Sequence, residues 1–266
     1  MSFYGRSFLY GGIASEIYGL YIMDINSNAI NESMGSSSMK IIEQEVFRRP
    51  TPYLLGMTPI PKLSFGFSAF SESELDAEQY SLVQRWLFSP RVYTPLAIDQ
   101  VDMQNIYFNC IFNDPKTVKS GSLIQGFSAT VECDSPFGWF YPQTTLYSYS
   151  SSVVDADELY YNGSDDSSGY LYPTLTVTMN DFEGDFSITN ADDANRVSSF
   201  VNLQANEVLN INCSLQTISS STGLKRLGNS NKKFLRLVPG RNRLNIVGNV
   251  ASISMVNRWV AKKVSG

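Results

Sequence analysis

The stretch Lys62–Phe88, KLSFGFSAFSESELDAEQYSLVQRWLF, carries two periodicities on either side of one boundary. From Lys62 to Phe70, residues Leu63, Phe65, Phe67 and Ala69 alternate with Ser64, Gly66 and Ser68. That period of two puts one face of a strand in a core and the other toward water. Ser71-Glu72-Ser73-Glu74 then reads as a capping box, with the Ser71 side chain accepting from the Glu74 amide while Glu74 reaches back. Across Leu75–Phe88 the period changes, and Tyr80, Val83 and Leu87 fall on one helical stripe. Ser89-Pro90 ends it, because proline cannot continue a helix. The expectation is a strand followed by a helix over about residues 72–88.

Outward from this stretch the chain reads as strand. Asn105–Phe112, Ser122–Cys133, Thr174–Met179, Phe182–Thr189 and Arg243–Val247 show similar alternation. The 15 Tyr and 16 Phe suit pleated, half-buried surfaces better than helices. Turn chemistry occurs at Tyr10-Gly11-Gly12, Asn113-Asp114-Pro115, Asn162-Gly163, Glu183-Gly184 and Pro239-Gly240. The polar, Ser-rich Asn26–Ser38 is expected to be a loop, and Pro50-Thr51-Pro52 with Pro59-Ile60-Pro61 to frame a second one. A chain of 266 residues suits two domains, each with its own core. The boundary is placed near Tyr141-Pro142, where the strand ending at Cys133 gives way to the Ser/Tyr stretch Thr144–Ser152. The expected domains are 1–141 and 142–266. No repeat of 20–50 residues is visible.

The net charge of −5 is unevenly spread. Residues 1–141 hold 14 acids and 9 bases, whereas residues 142–266 hold 11 of each. Those 22 are sorted: the acids lie between Asp155 and Glu207, and ten bases lie between Lys225 and Lys263. The favoured explanation is that acidic and basic strands pair across one sheet and cancel. A nucleic-acid surface fits less well, since the second half is neutral and no aromatic-interleaved RNA motif is present. No run approaches the roughly 18 apolar residues that a membrane span needs, and Glu16 interrupts the early apolar stretch, so a soluble chain made in a cytoplasm is expected.

The search for catalytic chemistry yields mostly absences. The chain has no histidine, which removes Ser-His-Asp and Cys-His catalysis and most transition-metal sites. It has no phosphate-binding GxxxxGK[ST] loop, no GxGxxG fingerprint and no GxSxG elbow. Cys110, Cys133 and Cys213 lack paired spacing and are expected to be reduced, buried thiols. Asp181, Glu183 and Asp185 alternate as a sugar or calcium site would require, but a solvated turn is the simpler reading. Asn162–Asp166 (NGSDD) lacks the later carboxylate of a calcium loop. No catalytic, cofactor-binding or metal-ligating residue is assigned, no cofactor is expected, and the chain is read as no enzyme.

The order of features carries more than any one of them. Ile13–Tyr21 (IASEIYGLY), the helix with Arg85-Trp86-Leu87, Ile106–Phe112 and above all Gly126–Phe140 (GFSATVECDSPFGWF) resemble the distal tail proteins of long, flexible-tailed bacteriophages. In the second half Tyr172-Pro173-Thr174, Phe186–Asn190, Asn206–Ile211 and Phe234–Leu244, with its Leu-x-Pro-Gly-x-Asn turn, continue the likeness in order. The chain departs from the family in carrying Asn206-Glu207 and then Asn212.

The resemblance implies a mainly β chain: an N-terminal β-sandwich or barrel domain with one α-helix, then a galectin-like β-sandwich. It implies a structural virion protein, assembled in the host cytoplasm and placed at the tail tip, whose six copies form a ring. The ring would join the tail tube protein to tail-tip or baseplate and receptor-binding proteins. DNA would pass through the ring without specific binding, and there would be no membrane insertion. Part of the N-terminal acidic surplus, drawn from Glu16, Glu43, Glu45, Asp99 and Asp102, is expected to face that channel and repel phosphate. The alternative is a carbohydrate-binding β-sandwich module aiding host attachment, with Tyr160, Tyr161, Tyr170 and Tyr172 as its platform.

Overall fold

A computed structural model describes residues 7–22, 39–47, 50–59, 62–100, 103–150, 153–167 and 169–262. The chain forms two compact units, Met1–Phe140 with Ala261–Gly266, and Tyr141–Val260. Its architecture is mainly β, with antiparallel sheets and, among the described residues, one α-helix. No helix among those residues is long and apolar enough to cross a membrane.

The first unit contains β1 (Phe8–Tyr10), β2 (Ile13–Ala14), β3 (Leu20–Ile22), β4 (Met39–Gln44), β5 (Tyr53–Pro59), β6 (Ser64–Leu75), α1 (Ala77–Phe88), β7 (Thr94–Ile98), β8 (Ile106–Ser120), β9 (Leu123–Cys133) and β10 (Gly138–Phe140). One antiparallel sheet runs β2-β1-β7-β8-β9-β6-β3, with β10 added beside β8. Its inner face and α1 share a core in which Phe8, Phe67, Phe112 and Phe127 meet Val83 and Leu87 of the helix. The rings pack edge to face, Phe67 to Phe112 at 5.1 Å and Phe88 to Phe127 at 5.6 Å between centroids, the arrangement that aromatic quadrupoles favour. Trp86 stacks on Tyr18 and donates its indole N–H to the Tyr10 carbonyl at 3.0 Å. Gly126 is required where β9 meets β6, since a Cβ there would lie 2.1 Å from the Ala69 carbonyl oxygen.

The second unit contains β11 (Gln143–Ser148), β12 (Val154–Asn162), β13 (Thr174–Met179), β14 (Gly184–Asn190), β15 (Arg196–Leu203), β16 (Val208–Asn212), β17 (Thr217–Ser220), β18 (Gly240–Gly248) and β19 (Val250–Asn257). They form two antiparallel sheets, β11-β19-β13-β16-β17 and β12-β18-β14-β15. Leu175, Val177, Ile211 and Ile253 of the first sheet share one core with Phe186, Ile188, Phe200 and Ile246 of the second, which makes the unit a β-sandwich. A last strand, β20 (Val260–Ala261), pairs with β10, and Ala261 is buried in the first core.

Three local expectations need correction. The helix starts at Ala77, and its capping box is made by Asp76 and Gln79, whereas Ser71 and Glu74 lie in β6. Asp76 Oδ1 accepts from the Gln79 amide at 2.7 Å, and the Asp76 amide donates to Gln79 Oε1 at 3.3 Å. Pairing of Leu75 with Ile124, past an irregularity after Phe70, holds the strand beyond the first Ser-x-x-Glu pattern. Asn113-Asp114-Pro115 is a bulge within β8, with Asp114 at φ 49°, because β9 pairs on both sides of it. Tyr53–Leu55, between the two proline pairs, is strand in β5. Thr144–Ser148, at the start of the Ser/Tyr stretch, belongs to β11, held by β19. The Ser-rich segment Asn26–Ser38 lies outside the described residues.

Candidate functional site

The feature that local packing leaves unexplained is the β4–β5 hairpin. Its strands pair only with each other among the described residues, with Ile41 opposite Met57 and Glu43 opposite Leu54. Neighbouring residues of a strand point to opposite faces, so Ile41 with Ile42, and Leu54 with Leu55, make both faces apolar. Exposure is 54% at Ile41, 56% at Leu54 and 62% at Leu55, and it reaches 90% at Phe47 just beyond β4. A two-stranded hairpin alone is marginal in water, and a contiguous exposed apolar patch marks an interaction surface. Adjacent apolar residues, Ile41-Ile42 and Leu54-Leu55, leave no single-face alternation in residues 39–44 and 53–59 to mark the hairpin in the sequence, and the flanking prolines conceal it further.

The candidates named from sequence are dispersed. Tyr160 is buried and accepts from the Trp259 indole N–H at 3.0 Å, and burial pushes its phenol above the ordinary range. Tyr161 is exposed on β12. Tyr170 and Tyr172 lie 6.5 Å apart, but the Arg236 guanidinium covers the Tyr170 ring at 3.9 Å. Tyr160, being buried, offers no face to an exposed platform. Asp181 precedes β14, and Asp185 accepts from the Asn202 amide at 2.8 Å. Glu183, Asp185, Asn202, Gln204 and Arg226 line a shallow polar cavity of about 380 Å³. In NGSDD, Asn162 donates to the Val238 carbonyl and accepts from the Ser164 amide, as a structural turn does. Among the described residues no group of three metal-ligating side chains converges. Cys110, Cys133 and Cys213 are free and buried.

The sorted charges do meet. Glu207 and Arg226 form a buried pair at 2.6 Å, Asp193 and Arg236 pair at 2.7 Å, and Asp192 and Arg243 at 2.8 Å. Each joins the acidic run to the basic run. Burial pushes the Glu207 carboxyl up, but hydrogen bonds from Arg226, Ser220 and the Gln204 amide outweigh it and hold the group below the ordinary range. Glu207 is thus a structural anchor. The Leu-x-Pro-Gly-x-Asn turn is another: Asn242, fully buried, donates to Val238 and Gly240 carbonyls and accepts from Val238 and Asn190. Gly240 supplies the required φ of 77°.

Residues 3–135 match the family model described as phage tail protein N-terminal domain, and residues 137–256 match the one described as phage tail C-terminal domain. The chain belongs to this family of phage tail proteins. No curated protein matches this tail protein. Among solved structures it is similar to the SPP1 Dit (gp 19.1) protein, described as a paradigm of the hub adsorption apparatus in phages infecting Gram-positive bacteria. The TM-score is 0.68 at 9% identity, over 96% of this chain and 99% of that one. It is also similar to a chain of the phage p2 baseplate in its activated conformation with Sr, with a TM-score of 0.59 at 9% identity, over 97% and 99%. These likenesses are of fold, and they uphold the resemblance to distal tail proteins read from the sequence. The family places the chain among phage tail proteins, and the likeness to the two solved structures is one of fold.

Proposed function

We propose that six copies of this tail protein close into a ring at the distal end of the tail. The ring joins the tail tube to tail-tip or baseplate and receptor-binding proteins, and it carries out no catalysis. The observation that carries this reading is the β4–β5 hairpin, a ribbon that pairs with no other strand among the described residues and has apolar side chains on both faces. Such a ribbon needs a partner surface, and a neighbouring copy supplies one repeatedly when head-to-tail contacts close by rotation. The second unit, a galectin-like sandwich in this reading, projects outward to hold other tip components.

Glu16, Glu43, Glu45 and Asp99 are all exposed, as a channel lining would require, and Asp102 lies outside the described residues. An acidic lumen repels DNA phosphates, whereas a basic one would hold them by releasing counterions. The carbohydrate-binding alternative has one fewer tyrosine to draw on, because Tyr160 is buried. Light scattering coupled to size-exclusion chromatography should find a species near six times 29.7 kDa. Ile41→Asp with Leu55→Asp should abolish that species while the melting transition stays in place. A strict monomer at high concentration, alone and with tail proteins present, overturns the ring. A ring whose lumen is net basic overturns the channel assignment.

A further inference from the structure

Cys110 on β8 and Cys133 on β9 are direct cross-strand partners. The phase of the hydrogen bonds tells which kind of pair they form. The Asp134 amide donates to the Asn109 carbonyl at 2.9 Å, so Asn109 and Asp134 are a hydrogen-bonded pair of the β8–β9 ladder. The adjacent pair, Cys110 with Cys133, is then the other kind, and the Cys133 amide confirms it by donating away from β8 to the Leu63 carbonyl at 2.9 Å. Antiparallel pairs without mutual hydrogen bonds are the narrow ones, with Cα atoms about 4.5 Å apart. That spacing lies at the short end of the roughly 4.4–6.8 Å that disulfides span. Directly opposite side chains leave the same face of a sheet, and both thiols are fully buried in the first core.

Cys213 lies in the second unit, with no cysteine opposite it. Burial pushes all three thiols up, Cys133 and Cys213 to about 12. For Cys110 burial is the largest cause, followed by Cys133 and Asp134.

We propose that Cys110 and Cys133 are a latent cross-strand disulfide, closed by exchange with a low-molecular-weight disulfide and clamping β8 to β9. Local opening of the β8–β9 ladder at its Cys133 end lets one thiol lose its proton. The resulting thiolate attacks the small disulfide, forms a mixed disulfide and releases one small thiolate. The second cysteine, deprotonated in turn, displaces the other. Two protein thiols give up two protons and two electrons, one S–S bond forms in the protein, and one small disulfide is reduced to two thiols. Burial makes closure slow, because the thiolate is the reacting species. Once formed, the bond ties β8 to β9 at the last residue of β9.

The test uses the purified full chain incubated with oxidised glutathione, in buffer and across a urea series below the main transition. The expected result is an intramolecular species about 2 Da lighter, whose proteolytic map links the Cys110 peptide to the Cys133 peptide. It should form faster as urea rises, with one alkylatable thiol left at Cys213 and the first transition several degrees higher. Cys133→Ala should keep two alkylatable thiols and give no such species. Persistence of three alkylatable thiols throughout the series overturns the inference, as does a linkage through Cys213 or between chains.

Discussion

The two units solve the same problem with different materials. The first closes its core with aromatic rings and a helix, and it leaves a large apolar surface exposed on the β4–β5 hairpin. The second buries polar groups as well: Glu207 with Arg226, and Asn190 with Asn242, each satisfied by named partners. Ring packing tolerates changes of pH and salt, because it depends on area removed from water. A buried ion pair depends on both charges being present, since either one alone is costly to bury. The first unit should therefore be the more sensitive to lost volume, and the second to lost charge.

The largest effect expected is Phe127→Ala, which opens a cavity among Phe67, Phe88 and Phe112. It should cost about 3–5 kcal/mol, read as a fall in the first unit's transition while the second holds. Arg226→Met should cost the second unit a comparable roughly 3–5 kcal/mol, by stranding the buried Glu207 carboxylate.

The pH dependence sharpens the contrast. The folded Glu207 carboxyl titrates below its ordinary value. Its stabilising contribution is thus present above the unfolded value of about 4.3 and is lost as pH falls through the folded one. Acid melts of the native chain should weaken the second transition. In Arg226→Met the sign inverts, because an unpaired buried carboxyl is pushed up and favours the protonated form. That variant should regain stability as pH falls from 7 toward 5. A uniform acid response in both proteins would remove Glu207 as the cause. Asn242→Ala should cost a smaller amount, about 1–3 kcal/mol, by leaving the Val238 amide and carbonyl without their partner.

Much of this contrast is legible in the amino-acid sequence. The alternation at Lys62–Phe70 marks strand β6, and the period change marks α1, because both burial patterns repeat in the residues themselves. The sorted charges announce the three ion pairs in kind, though not the partners: Glu207 and Arg226 are separated by two strand-and-turn crossings. Turn chemistry fails where pairing continues past it, as at Asn113-Asp114-Pro115, since a bulge and a turn use the same residues. The hairpin and the opposed cysteines are illegible for one reason. Both depend on register, which the pairing of distant strands sets and spacing along the chain does not reveal.

The helix cap tests this lesson at the smallest scale. Two patterns compete within nine residues, Ser71-x-x-Glu74 and Asp76-x-x-Gln79, and each satisfies the local rule for a capping box. Local preference between them is slight, since serine and aspartate rank nearly alike as caps. Tertiary pairing decides: Leu75 is held opposite Ile124, so the backbone is still extended at Glu74 and can turn helical only after Asp76. Asp76→Ala should therefore cost about 0.5–2 kcal/mol through loss of the bond to the Gln79 amide. Ser71→Ala, at the end of the β3–β6 pairing opposite Leu20 and half-buried, should change stability by less than about 0.5 kcal/mol. Parallel urea titrations of the two variants measure the difference. Equal losses, or a larger loss at Ser71, would return the cap to the position that the sequence pattern alone suggests.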